Sequence, residues 1–363
     1  MNNVNPLSLY LPEIRARLSA IAHTSEWPDF ERQVERHLTN TKLPTHLVLP
    51  LACAAAVGGD PRSALSTATS CGFLLLAMRW FDDLQDRDRS ENLSSEIGTG
   101  RAINMSAAAL NTAWKTLADD EMLPPAALKA FGKYTTALAR GQDLDLQENI
   151  VQTMDDYWRL MREKTGASLA LACEVGMLAA RPDNPELADV CARFGMHMGI
   201  LMQILDDLDG AFRPVGIGDL HAGKATLPVL YGLATDHEAR NELADIVHSG
   251  SLSKHAERAK VILDSIDTRE FLVWSAFEEH RQAISCLQEL PPVKNAGEKN
   301  GRDALLVYAN LLMNGWENLL EKSDPDRVTT EPDPKSNVIN SIKIQEQNKA
   351  EKPVMLGELH QTH

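Results

Sequence analysis

Phe81-Asp82-Asp83-Leu84-Gln85-Asp86 and, far downstream, Gln203-Ile204-Leu205-Asp206-Asp207-Leu208-Asp209 decide how this chain is read. Each closes a long apolar stretch. Ser63–Gln85 runs without proline and with Gly72 as its single glycine, and Leu187–Leu208 has helical periodicity. Asp82 and Asp86 are four apart and Asp206 and Asp209 three apart, so each pair shares a helix face. Like charges at such spacings cost about a few tenths of a kcal/mol. The negative end of the helix dipole adds to that cost. A solvated helix end explains one such segment as readily as a metal site does, but explains two much less readily. Carboxylate oxygens suit magnesium, which keeps several waters and is completed by phosphate oxygens. A calcium loop starting at Asp86 fails, because Glu91 stands where the turn needs glycine and Ile97 where the bidentate acid belongs.

Working outward, residues from about Leu7 to Leu320 read as successive helices. Leu43–Val57 stops at Gly58-Gly59-Asp60-Pro61, and Ile103–Leu117, Ala126–Gln147 and Met154–Ala180 follow. Gly195 and Gly199 sit four apart in the helix that carries the second acidic segment, and Phe212–Lys224 is a loop. Later helices cover roughly Leu227–Ser249, Lys254–Gln288 and Gly301–Glu321. Apolar residues make up 44% of the 363 and aromatics only 5%, which favours helices over strands. The expected fold class is all-α, with one helical domain over 1–322. Residues 323–363 hold four prolines and few large apolar side chains, and are expected to form a flexible tail.

The chain carries 51 acidic and 36 basic residues, a net charge of −15. That argues against a nucleic-acid partner and against binding anionic lipid by charge alone. It leaves room for an anionic small molecule, because a few cations reverse the local field. Cys53, Cys71, Cys173, Cys191 and Cys286 are odd in number and widely spaced, which reads as reduced, buried thiols of a cytoplasmic protein. The N-terminal residues lack a leader pattern, and the longest apolar runs, such as Phe73–Met78, are too short to form a transmembrane segment.

Phosphate oxygens held by a metal still need cationic partners. Candidates are Arg87 and Arg89, Lys164 in Lys164-Thr165-Gly166, and Lys224 in Gly223-Lys224-Ala225-Thr226. The two lysines stand out because glycine allows close backbone approach and threonine adds a hydroxyl. Gln203 lies three before Asp206 on the same face and can donate to phosphate.

Together these segments resemble the trans-isoprenyl diphosphate synthases, the polyprenyl synthetase family. The resemblance spans about Leu43 to Leu233. It takes in Gly58–Pro61, Asp82–Asp86, Gly141-Gln142-Asp143-Leu144-Asp145-Leu146, Lys164–Gly166, Phe194-Gly195, Gly199, Gln203, Asp206–Asp209, Gly218-Asp219-Leu220 and Gly223–Pro228. It implies a class I isoprenoid synthase-type helical bundle around a central cavity, working with Mg2+ as three ions. The metal set it implies is Asp82, Asp83, Asp86, Asp206 and Asp207, with Asp82, Asp86 and Asp206 as principal ligands. Lys164, Thr165, Gln203, Lys224 and Arg87 would hold an allylic prenyl diphosphate, and Met78 and Leu75 would line its chain channel. In that channel Met78 is bulky and Ala77 beside it small, and a substrate of C15 to C20 is expected. Small-residue helix surfaces and the family's habit suggest a homodimer.

The match fails where the family binds its second substrate, isopentenyl diphosphate. The lysine and arginines of a Gly-Gly-Lys-Arg-x-Arg-Pro segment fall here on Leu43, Pro44 and His46. A histidine or glutamine eight before Asp83 becomes Leu75, and two arginines after the first acidic motif become Glu91 and Asn92, with Lys42, Arg87 and Arg89 as the cations that a shift of register would bring in instead. A diphosphate needs several cationic donors, since an unpaired buried anion is costly. The expectation is therefore prenyl transfer to an acceptor other than isopentenyl diphosphate. Cyclisation of one prenyl diphosphate, ordinary chain elongation and an inactive partner subunit are the alternatives.

Overall fold

In a computed structural model the described residues are 6–41, 44–85, 93–147, 153–213 and 218–320, with side chains as far as 313. Lys42, Leu43, Asp86, Arg87, Arg89, Glu91 and Asn92 therefore lie outside them. Fifteen α-helices and no strand occur among the described residues. They are α1 Leu11–His23, α2 Pro28–Asn40, α3 Leu49–Ala56, α4 Leu65–Gln85, α5 Leu93–Ile97, α6 Thr99–Ala118, α7 Pro125–Leu146 and α8 Met154–Met161. The series continues with α9 Ala167–Ala180, α10 Pro185–Phe212, α11 Leu227–Ala234, α12 Arg240–His248, α13 Ala256–Asp264, α14 Thr268–Glu289 and α15 Ala296–Leu320. The chain divides into one unit of residues 1–314 and a second of 315–363, a boundary inside α15 and ahead of the expected 322.

The core follows from how much of each helix is apolar. α9 is apolar on every side and is covered by α3, α7 and α10. α4 packs along α6, and α10 lies between α9 and α14. The segment Pro61–Gln85 is long and apolar enough by composition to cross a membrane, yet 72% of its apolar window is buried inside the protein. It is thus the core helix of the bundle, longer than the apolar run seen in sequence. All five cysteines are free and buried. A smaller apolar cluster, including Ala211, Leu220, Val229, Leu243 and Ile262, gathers α11–α13 against the end of α10.

The two spaced glycines of α10 allow a close helix contact. A Cβ at Gly195 would lie 2.4 Å from Leu169 O, and one at Gly199 would lie 2.4 Å from Thr165 O. Backbone therefore meets backbone there, and the Lys164-Thr165-Gly166 turn is drawn against α10 one turn before Gln203. Gly199→Ala should destabilise the protein by about 1–3 kcal/mol through overpacking. Denaturant unfolding measures this, and an unchanged midpoint would show that the two segments are not in contact.

Candidate active site

The second acidic segment is built around a buried carboxylate. Asp207 is 1% exposed. Its Oδ1 accepts from Tyr157 Oη and from Gln203 Nε2, each at 2.9 Å, and its Oδ2 from the Leu227 amide at 3.4 Å. Gln203 Oε1 in turn accepts from Thr165 Oγ1 at 2.6 Å. Tyr157 is placed by α8, whose Thr153 cap accepts from the Asp156 amide. Burial lifts the Asp207 carboxyl to about 7, against the pull of the Gln203 and Tyr157 donors. Asp207 was read from sequence as a metal residue. Here its oxygens are taken by protein donors, which makes it the organiser of α8, α10 and the start of α11.

Asp206, one residue earlier, opens into a cavity of about 190 Å³ lined also by Asp145, Lys164, Gln203, Asp219, Lys224 and Thr226. Partial loss of water raises its carboxyl above the ordinary range, and Asp209 and Asp219 beside it push the same way. Asp209 is paired with Arg213 at 2.9 Å. Asp219 is raised by burial while Lys224 and Arg213 oppose the shift. It returns to the helix end because its amide bonds Gly210 O at 2.9 Å, and its carbonyl accepts from the Lys224 amide at 2.8 Å. A Cβ at position 210 would meet Asp219 Oδ2 at 2.2 Å, so a larger residue there would displace the Asp219 carboxylate. Lys164 sits in a single π-helical turn, Arg162–Gly166, and its ammonium meets Asp145 of α7. Such turns re-aim side chains within a helix.

The first acidic segment ends α4. Gln85 Oε1 accepts from Gln142 Nε2 of α7 at 2.8 Å, and Asp145 lies one turn further along the same helix. The end of α4, the end of α7 and the Lys164 turn are thereby joined. Asp83 is buried. Asp82 lines a second cavity of about 360 Å³ with Leu75, Met78, Arg79, His37 and Pro44. Asp206, Asp207, Lys164, Gln203 and Lys224 thus share one cavity, and Thr165 is bonded to that set. Asp82, Met78 and Leu75 share the other, and Asp86 and Arg87 fall outside the described residues. Asp219, Asp145 and Tyr157 were not singled out from sequence. Asp219 and Asp145 belong to segments that carried the resemblance, but only the fold shows that they face the second acidic segment.

Among the described residues no three metal-ligating side chains form a closed cage. Magnesium does not require one, since waters and substrate phosphates complete its shell. The smaller cavity offers carboxylates of Asp206 and Asp219, cations of Lys164 and Lys224, and the buried Thr226 Oγ1, which has no partner among the described residues. That donor set fits a hard divalent ion with phosphate. The larger cavity differs. Where the family pattern calls for cations, Pro44 and Leu75 contribute apolar walls. His46 has its Nε2 buried without a partner among the described residues, and burial drives the ring down to about 4, so it is neutral near pH 7.

Residues 45–266 match the family model described as polyprenyl synthetase, and the chain belongs to that family. It is similar to the geranylgeranyl diphosphate synthase of Mycobacterium tuberculosis H37Rv, 32% identical over 258 residues covering 66% of this chain and 73% of that one. It is also similar to the (2E,6E)-farnesyl diphosphate synthase of the same strain, 29% identical over 249 residues, covering 64% and 69% respectively. A crystal structure of a decaprenyl diphosphate synthase from Rhodobacter capsulatus overlays with a TM-score of 0.74 at 20% identity, covering 84% of this chain and 97% of that one. The fold is that of class I isoprenoid synthases, and the protein is a prenyltransferase of a family that generally uses Mg2+. Each relative named here is a diphosphate synthase, and none of these names points to another acceptor or to cyclisation.

His46 makes a test of the neutral wall. Its folded value of about 4 lies below the ordinary 6.5. Between those values the unfolded chain binds a proton that the folded chain does not, so stability present above pH 6.5 is lost as pH falls toward 4. At 1.36 kcal/mol per unit the loss reaches about 3 kcal/mol. His46→Leu should lose that much less than wild type between pH 7 and about 4.5 in urea unfolding. Parallel losses in the two proteins would mean that the ring is charged in the fold.

Proposed function

We propose that this protein is a magnesium-dependent prenyltransferase that ionises an allylic prenyl diphosphate, of C15 to C20, and passes the prenyl group to an acceptor other than isopentenyl diphosphate. The carrying observation is the apolar cavity beside Asp82, whose walls include Pro44, where the resemblance expects an arginine, and Leu75, where it expects a histidine or glutamine, although a second diphosphate would need polar and cationic donors. Asp82, Asp83, Asp86 and Asp206 are assigned to the metal, as three ions by resemblance, with Asp207 holding the site together from behind. Bound there, magnesium supplies positive charge against the leaving diphosphate. Lys164 and Lys224 face the same oxygens from α8–α9 and from the loop before α11. Gln203 has one amide hydrogen committed to Asp207 and presents the other to phosphate. Preorganised donors of this kind stabilise charge that develops as the carbon–oxygen bond breaks. Leu75 and Met78 exclude water from the cation that remains. A cytoplasmic homodimer is the working assembly of this proposal.

Chain elongation with isopentenyl diphosphate is the second reading, favoured by the synthases to which the chain is similar. Incubation with Mg2+ and C10, C15 or C20 allylic diphosphates, with and without isopentenyl diphosphate, separates the two. The transfer reading expects no longer diphosphate in any of these mixtures, whereas a hydrocarbon or alcohol released without any co-substrate favours cyclisation. A longer diphosphate made only with isopentenyl diphosphate establishes elongation instead, and a single cyclic hydrocarbon at full rate establishes cyclisation. Asp82→Ala and Asp206→Ala should each lower pyrophosphate release by at least about a hundredfold. Retained turnover in both would remove the metal assignment.

A further inference from the structure

We infer that Arg79 and His37 form a carboxylate-reading pair at the mouth of the larger cavity, so that the acceptor combines an apolar body with a single carboxylate. This rests on the transfer reading above and deepens it. The cavity lies between α1, α2, the Thr45–Val48 turn and α4. Among the described residues its polar lining is His37, Arg79 and Asp82, and the others are apolar or glycine, including Leu18, Val34 and Leu47. At about 360 Å³ it is large enough for a small organic molecule.

The chain is strongly acidic, and its exposed arginines mostly find carboxylates. Arg140 pairs with Glu163, Arg193 with Glu289, Arg258 with Glu242 and Arg281 with Glu278. Arg79 makes no side-chain hydrogen bond or ion pair with any of the described residues, and neither does the His37 ring. Both nevertheless face the same cavity from opposite helices. They are close enough that Arg79, after burial, is the next cause lowering the His37 ring; Asp83 opposes the shift and Arg15 adds to it. Two adjacent donors without an acceptor, at the rim of an apolar pocket, are arranged for an anion.

Charge balance selects which anion. Among the described lining residues Arg79 supplies one positive charge, Asp82 a negative one that the magnesium assigned to it would offset, and a neutral His37 one N–H donor. A carboxylate matches that pair in charge and in its two oxygens. A diphosphate, with at least two charges and more oxygens, does not. Arg79 also lies three residues before Asp82, on the same helix face and about one turn away. The apolar body of a ligand held there fills the space beside the residue assigned to the leaving group.

The test uses the full chain with Mg2+ and three probes: 4-phenylbutyrate, its neutral amide, and isopentenyl diphosphate. Calorimetry should show the acid binding at least about tenfold more tightly than the amide, as one charge-assisted pair implies. Arg79→Leu should erase that preference and Arg79→Lys should keep part of it. Equal affinity of acid and amide, no binding of the acid, or a preference that survives Arg79→Leu overturns the pair. Tighter binding of isopentenyl diphosphate than of the acid overturns it as well, in favour of elongation. The products that the unmodified protein makes from an allylic diphosphate, with and without isopentenyl diphosphate, are measured in parallel. A longer diphosphate formed only with isopentenyl diphosphate sinks the underlying transfer reading, whereas its absence together with any of the other adverse results sinks the pair alone.

Discussion

The buried carboxylate of Asp207 is the constraint on which the rest of the site depends. A carboxylate this deep is costly unless donors surround it. Here the donors come from three places in the chain: a tyrosine on α8, an amide on its own helix, and the backbone amide that opens α11. Meeting that one requirement fixes the Lys164 turn to α10 through Thr165 and Gln203, and seats the loop that delivers Asp219 and Lys224. The neighbouring Asp206 is thereby left facing the cavity. Both members of the acidic pair line the cavity, and Asp207 in addition ties α8, α10 and the start of α11 together.

The two cavities have opposite chemistry. The smaller gathers carboxylates and lysines around a narrow space, where charges remain only if counterions arrive. The larger is walled by apolar side chains and carries its few polar groups near the end occupied by Asp82. The first suits a multiply charged leaving group, and the second suits a molecule recognised mostly by shape and burial. α7 joins them, through Gln142 to the end of α4 and through Asp145 to Lys164.

Much of this was legible in sequence because it depends on local periodicity. The acidic helix ends, the spaced glycines of α10 and the Lys-Thr-Gly and Gly-Lys-Ala-Thr segments all sit where their spacing placed them. The division of labour between Asp206 and Asp207 was not legible. Adjacent residues on a helix differ by about 100°, and which one faces inward depends on partners from α8 and α11. Asp219 was missed as a member of the site because a loop, turned back at Gly210, brings it there. Arg79 had no reading at all in sequence; its meaning comes from His37, which α2 brings to the opposite wall of the cavity. The apolar run in α4 was underestimated because polar Ser and Thr residues within it are buried with satisfied hydroxyls, as in Ser70 to Ala113 O and Thr69 to Leu65 O.

The division between cavities also explains how one half of such a site changes while the other stays. Bond breaking depends on groups that stabilise charge on the leaving diphosphate, and those groups belong to the aspartate and lysine set. The acceptor contributes to that step only by being near when the cation forms. On the proposed reading, Pro44 and Leu75 in this cavity and a neutral His46 in the adjoining turn make a second diphosphate a poor fit while leaving the ionising half untouched. A single exposed arginine and an adjacent imidazole then suffice to select among smaller anions, because in an apolar pocket each charge-assisted contact counts for more than it does in water. On the proposed reading, specificity for the acceptor would be carried by Arg79 on α4 and His37 on α2, apart from the groups assigned to the leaving diphosphate, so that one fold accommodates different second substrates without altering its chemistry.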